Sequence, residues 1–126
     1  MPISLNHLLA AGTPADVAAL LEEDVVFHSP VADYRGRADV AHLLATIATC
    51  ISTPLPHEEL VGRSSTATTF VASVDERRID GVLVQRCTEN DLLAEATLLL
   101  RPVAALKTAI SAMRDALTLD PLPSAR

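Results

Sequence analysis

The stretch VVFHSPVADYRGRADVAHLL, Val25 to Leu44, decides how this chain is read. Val25, Val26 and Phe27 are β-branched or aromatic and open it as a strand. Pro30 stops that strand, because proline has no N–H to give to a ladder. Gly36 permits the turn that follows. From there Val40, Leu43, Leu44, Ile47 and Ile51 recur at helical spacing, so the spacing predicts an amphipathic helix. Its other face carries Asp39, His42, Thr46 and Thr49. Between strand and helix stand His28, Ser29, Tyr34, Arg35 and Arg37, which either form a catalytic site or shape the mouth of a pocket.

Upstream, Leu5, Leu8 and Leu9 give a short first helix one apolar edge, and Gly12 ends it. Thr13-Pro14-Ala15-Asp16 starts a second helix, with Thr as N-cap, Pro at the first helical position and an acid in the first turn. Val17, Leu20 and Leu21 form its apolar stripe. Downstream, Ser52–Pro56 reads as a loop. The period then changes. Strands are predicted near Glu58–Ser64, Ala67–Val74, Arg77–Thr88 and Leu92–Arg101, with turns at Asp75-Glu76 and Asn90-Asp91, which makes an antiparallel meander. Pro102 ends the last strand and opens a helix whose stripe is Leu106, Ile110, Met113 and Leu117. The expected unit is one domain over residues 1–117, with a flexible tail over 118–126 carrying Pro121 and Pro123.

At 126 residues and 49% hydrophobic content the chain buries a real core and is not disordered. Aromatics are 2%, so the core is built from Leu, Val, Ile and Ala. A net charge of −6 without a basic cluster argues against nucleic acid and anionic membrane surfaces as partners. Cys50 and Cys87 lack the close spacing of a zinc site or the number of a disulfide scaffold, and read as free thiols. His7, His42 and His57 show no metal-ligand spacing. No metal or cofactor is therefore implied. With no signal-peptide pattern and no apolar run of membrane-spanning length, a cytoplasmic protein is expected.

Helices first and an antiparallel sheet afterwards mean an α+β fold. A curved sheet wrapped by the N-terminal helices closes into a cone with an apolar cavity. Ser29-Pro30, Tyr34-Arg35-Gly36-Arg37 and Val40 resemble the opening motif of SnoaL-like proteins in the nuclear-transport-factor-2-like superfamily. Glu95-Ala96-Thr97-Leu98-Leu99-Leu100-Arg101-Pro102 is similar to their last strand, which often ends in Arg-Pro. The resemblance runs from about Leu5 to Leu117. It implies the cystatin-like α+β barrel, commonly dimeric through the sheet. The family includes ketosteroid isomerases, limonene-epoxide-hydrolase-like enzymes and polyketide cyclases, so the fold does not fix a reaction.

Residue by residue, the known chemistries of that family are not matched. A ketosteroid isomerase has a carboxylate base before the proline of the opening motif, where this chain has Ser29. Its oxyanion donors, a tyrosine and a protonated Asp, match Leu5 and Leu83, which donate nothing. The epoxide hydrolases need an Asp-Arg-Asp set. The last strand here offers only Glu95, and Thr66–Phe70 holds neither Arg nor Asp. SnoaL-type cyclases use an Asp and a His, and Leu92–Leu100 contains neither.

The remaining catalytic candidates are Ser29, Tyr34, Asp33 and His28. Strand parity places Phe27 and Ser29 toward the cavity and His28 on the opposite face. Gly81, Leu83 and Gln85 share the inner face, and Asp80 and Arg86 face out as an exposed charged pair. The expected pocket lining is Phe27, Ser29, Leu43, Leu83, Gln85, Ala96, Leu98 and Leu100. In the last strand both faces are mostly apolar. One lines the cavity, and the other, with Leu93, Glu95, Thr97 and Leu99, calls for a second subunit. The leading expectation is a homodimer that binds a small hydrophobic ligand. Its alternatives are a cyclase- or isomerase-type enzyme and a structural dimer whose cavity is filled by its own side chains.

Overall fold

The computed structural model describes residues 3–9 and 13–126. Helix α1 spans Leu5–Leu8 and α2 spans Pro14–Ala18. Strand β1 (Leu21–His28) and a short β2 (Asp33–Arg35) precede α3 (Arg37–Cys50). Strands β3 (Leu55–Val61), β4 (Thr66–Val74), β5 (Arg77–Cys87) and β6 (Leu93–Arg101) lead into α4 (Val103–Leu119). The six strands form one sheet in the order β2-β1-β6-β5-β4-β3. Strands β1 and β6 run parallel, and every other neighbouring pair is antiparallel. This is the expected α+β cone, a curved sheet with helices on its inner face.

Local chemistry starts each early element. The Thr13 hydroxyl accepts the Asp16 N–H, and the Asp16 carboxylate accepts the Thr13 N–H, both at 3.2 Å. That reciprocal capping box with Pro14 begins α2 as the sequence suggests. The helix is short, however, and Leu21 belongs to β1 rather than to its stripe. Gly12, expected to end α1, lies outside the described residues.

Ser29 makes the β1–β2 turn. Its hydroxyl donates to the Ala32 carbonyl at 2.8 Å and accepts the N–H groups of Val31 and Ala32. Residues Asp33–Arg35, read from sequence as part of a turn, are a strand because that bend folds them back onto Val26–His28. Gly36 has φ +92°, where L side chains are strained, and its N–H bonds the Val25 carbonyl at 2.9 Å. It thus joins the sheet edge to the start of α3.

The meander alternates cleanly. Thr66, Thr68, Phe70, Ala72 and Val74 of β4 are buried, as are Ile79, Gly81, Leu83 and Gln85 of β5. Strand β3 begins at Leu55, three residues ahead of the expected start. It is the exposed sheet edge, a place that tolerates Pro56. Leu93 corrects the parity argument. A register shift opposite Arg86 and Cys87 pairs it with Cys87, and it is fully buried rather than outward-facing.

The C-terminal segment also departs from expectation. Helix α4 continues through Thr118 to Leu119, and a short 3₁₀ turn spans Pro123–Ala125. Asp39 at the start of α3 accepts the Ser124 N–H (3.0 Å) and its hydroxyl. His42, expected on the polar face of α3, is only 5% exposed and faces the Asp120 carbonyl at 2.8 Å. Residues 118–126 are therefore held against α3 by side chains more than 75 positions away.

Candidate functional site

A cavity of about 340 Å³ opens between α3, α4, the end of β6 and the Ser29 turn. Leu43, Ile47 and Ile51 of α3 form one wall, and Leu106, Ile110, Met113 and Leu117 of α4 form another. Leu98 and Leu100 make its floor, and Ser29, Pro30, Val31 and Tyr34 make its rim. Among the described residues, the other polar or sulfur-bearing side chains of the lining are those of Cys50 and Arg114, and no carboxylate or histidine is in it.

The residues expected to line the pocket divide in two. Ser29, Leu43, Leu98 and Leu100 do line it, with Tyr34 beside them. Phe27, Leu83, Gln85 and Ala96 do not, although all four are buried on the same side of the sheet. Leu83 stands directly opposite Leu98, and Phe27, Ala96 and Gln85 lie side by side across β1, β6 and β5, where the N-terminal segment packs onto Gln85. Gln85 shows how: its amide oxygen accepts the Ile3 N–H at 2.9 Å, and its NH₂ donates to the Ile3 carbonyl at 2.7 Å. Parity identified the correct face but not the depth along it. The α4 stripe was visible in the sequence. Its role as the second wall of the cavity was missed, because a stripe does not say whether it meets core or space.

The four catalytic candidates fall into two separate pairs, Ser29 and Tyr34 at the cavity rim and His28 with Asp33 outside it. Both lone-pair directions and the proton of the Ser29 hydroxyl serve the turn, which leaves it no freedom to act as a base. His28 and Asp33 lie away from the cavity, in an ion-pair cluster on the outer sheet face. His28 Nδ1 meets Asp33 at 2.7 Å and Nε2 meets Glu95 at 2.8 Å, while Arg86 reaches Glu95 at 3.5 Å. The hydrogen bond to Glu95, and then that to Asp33, holds the imidazole above its ordinary pKa. The same bond from His28 holds the Glu95 carboxyl below the usual carboxylate range. With both ring nitrogens bonded to carboxylates, His28 on β1 ties β2 to β6, and its imidazole faces away from the cavity.

Asp80 and Arg86 are not a pair with each other. Asp80 accepts from Arg78 (2.9 Å) and Arg101 (3.0 Å), beside a shallow depression of about 380 Å³ on the outer face. Arg101 thus takes a salt-bridge role. Cys50 and Cys87 are free, and burial pushes the Cys87 thiol up. Among the described residues no group of three His, Cys, Asp or Glu side chains is placed to hold a metal ion.

No family model matches the chain, and no curated protein matches it. Solved structures do. A protein conserved in bacteria with a cystatin-like fold, from Silicibacter pomeroyi, is 24% identical with a TM-score of 0.84, over 92% of this chain and 84% of that one. An NTF2-like protein of unknown function from Cytophaga hutchinsonii is 9% identical, with a TM-score of 0.61 over 74% of this chain and 80% of that one. The chain has the NTF2-like, cystatin-like fold.

A steroid delta-isomerase from Pseudomonas aeruginosa has the same NTF2-like cone, at 26% identity and a TM-score of 0.79 over 84% of this chain and 80% of that one. These likenesses agree with the SnoaL-like resemblance of the Ser29–Arg37 segment. Within the NTF2-like cone of this chain, the open space lies beside α4, and Leu5 and Leu83 are buried outside its lining.

Proposed function

We propose that the protein binds a small hydrophobic molecule in the cavity between α3 and α4. One observation carries this reading: a cavity of about 340 Å³ walled mostly by Leu, Ile, Val, Ala and Met, with few polar side chains in its lining. That is the usual form of a small-molecule site. A water occupies about 30 Å³ of liquid, so the space holds on the order of ten non-hydrogen atoms. A steroid nucleus is larger and would have to protrude past the rim. The two free thiols suit a reducing compartment such as the cytoplasm. No described helix is long and apolar enough to cross a membrane.

The chain supplies its own reporter. It has one tyrosine and no tryptophan, and that tyrosine is Tyr34 at the cavity rim. Medium-chain alcohols and monoterpenes are expected to change Tyr34 fluorescence saturably and to raise the melting temperature. At a hundred times Kd the stabilisation is about 2.7 kcal/mol. A varied apolar panel that moves neither signal would replace this reading with the structural one, in which the fold needs no ligand.

An isomerase-type enzyme is the second reading, and the likeness to the Pseudomonas aeruginosa steroid delta-isomerase favours it. Ser29, Leu5 and Leu83 oppose it, as argued in the Discussion.

The reading includes a homodimer through the outer sheet face. Leu99 is 55% exposed there, and Val82, Val84 and Thr97 surround it on β5 and β6. A second copy is the natural cover for an apolar sheet face. Light scattering is expected to give a dimer mass at micromolar concentration. Leu99→Glu should give a monomer, since an unpaired charge buried in an interface costs roughly 3–5 kcal/mol. A wild-type monomer mass would remove the dimer from the proposal.

A further inference from the structure

Arg114 is exposed at the solvent edge of the cavity, on α4 four residues after Ile110 and three before Leu117, both of which line the same space. The other arginines near acids are taken: Arg78 and Arg101 by Asp80, Arg86 by Glu95, Arg126 by Asp120. Among the described residues the Arg114 side chain has no ion-pair or hydrogen-bond partner, and no acid lines the cavity to provide one. Among the described residues Tyr34, which lines the same cavity, also has no hydrogen-bond partner for its hydroxyl. The Ser29 hydroxyl is already committed to its turn. An aliphatic cleft with one unpaired guanidinium and one free hydroxyl at its margin complements a molecule that is apolar along its length and anionic at one end.

We infer that the cavity takes a small apolar monocarboxylic acid, its hydrocarbon body against Ile47, Leu98 and Ile110 and its carboxylate on Arg114. A guanidinium offers a carboxylate a planar fork of donors, a stronger and more directional match than any neutral rim group gives. The size estimate of about ten non-hydrogen atoms sets the class at medium-chain fatty acids and comparable terpenoid acids. The chain's net charge of −6 repels anions at long range. A preference for an acid over its alcohol therefore reports a local cation. This inference rests on the cavity being a ligand site, and the experiment separates the two.

The probes are octanoate, octanol and octylamine at pH 7.5, with Tyr34 fluorescence and calorimetry as readouts. Wild-type protein is expected to bind octanoate about tenfold more tightly than octanol, the size of one charge-assisted hydrogen-bonded contact, and octylamine most weakly. Arg114→Gln is expected to abolish the preference, lowering octanoate affinity about tenfold more than octanol affinity, and Arg114→Lys to keep part of it. Octanol bound as tightly as octanoate by the wild type would overturn the inference and leave the hydrophobic pocket standing. An intact preference in Arg114→Gln would overturn it too. Binding of none of the three would overturn both. The wild-type comparison needs no variant to fold.

Discussion

Wild-type protein given a β,γ-unsaturated ketosteroid is expected to turn it over at least about ten-thousandfold more slowly than a dedicated isomerase. Loss of one oxyanion-hole donor costs on the order of a hundred- to a thousandfold. Loss of a general base costs roughly another hundred- to ten-thousandfold. The resemblance of the Ser29–Arg37 segment supplies neither half of the mechanism. By that resemblance Ser29 matches the base position, and its hydroxyl is bonded to Val31, Ala32 and the Ala32 carbonyl. Leu5 and Leu83 match the donor positions by the same resemblance and are 3% and 1% exposed, packed in the core outside the cavity lining. The measurement is the rise of conjugated-enone absorbance, for wild type beside Ser29→Asp. Aspartate can keep the turn's N–H bonds, so the variant tests the base without losing the bend. It should still fall far short of a dedicated isomerase, because the oxyanion donors remain missing. Wild-type turnover near that of a true isomerase would show that Ser29 and Leu83 are not the positions that matter.

Gly81→Ala is expected to destabilise the fold by about 1–3 kcal/mol, the usual cost of forcing extra volume into a packed core. Gly81 lies opposite Phe70 across β4 and β5, and the Phe70 ring lies over it. A Cβ on Gly81 would sit 2.2 Å from Phe70 Cζ and within 2.7 Å of both Cε atoms. The ring is 2% exposed, so it has little room to withdraw. For a domain of this size each kcal/mol lowers the melting temperature by roughly 4 °C. Thermal and urea denaturation should both show the loss. Phe70→Leu in the Gly81→Ala background should recover part of it, making the double variant less than additive. An unchanged melting temperature, or full additivity, would mean that the Phe70 ring is not what requires a glycine.

Local sequence determined the order of elements and much of the sheet. Alternation in Thr66–Val74 and Arg77–Cys87 specifies which side chains turn inward, because successive residues in a strand point to opposite faces. Thr13-Pro14 and Gly36 mark helix starts through caps and backbone freedom that depend on a few neighbouring residues. The α+β cone, and the rim position of Ser29 and Tyr34, follow from such short-range rules plus the resemblance of the Ser29–Arg37 segment.

The site itself was decided by contacts between distant parts of the chain. Alternation says which face a residue takes, not what lies above it. Leu83 and Leu98 are direct partners across β5 and β6 on one inner surface, yet only Leu98 lines the cavity beside α4, and Ile3 covers Gln85 two residues further along β5. His28 lies outside the cavity lining, on the face that alternation assigns it. That it is clamped by Glu95 depends on β1 pairing with β6, a parallel crossover spanning 67 positions. Leu93 turned inward because a register shift opposite Cys87 broke the alternation. The C-terminal residues gained Asp39 and His42 as partners only once α4 had returned alongside α3. In each case the deciding energy is packing or hydrogen bonding between segments that sequence order keeps apart, so it exists only after the chain has folded.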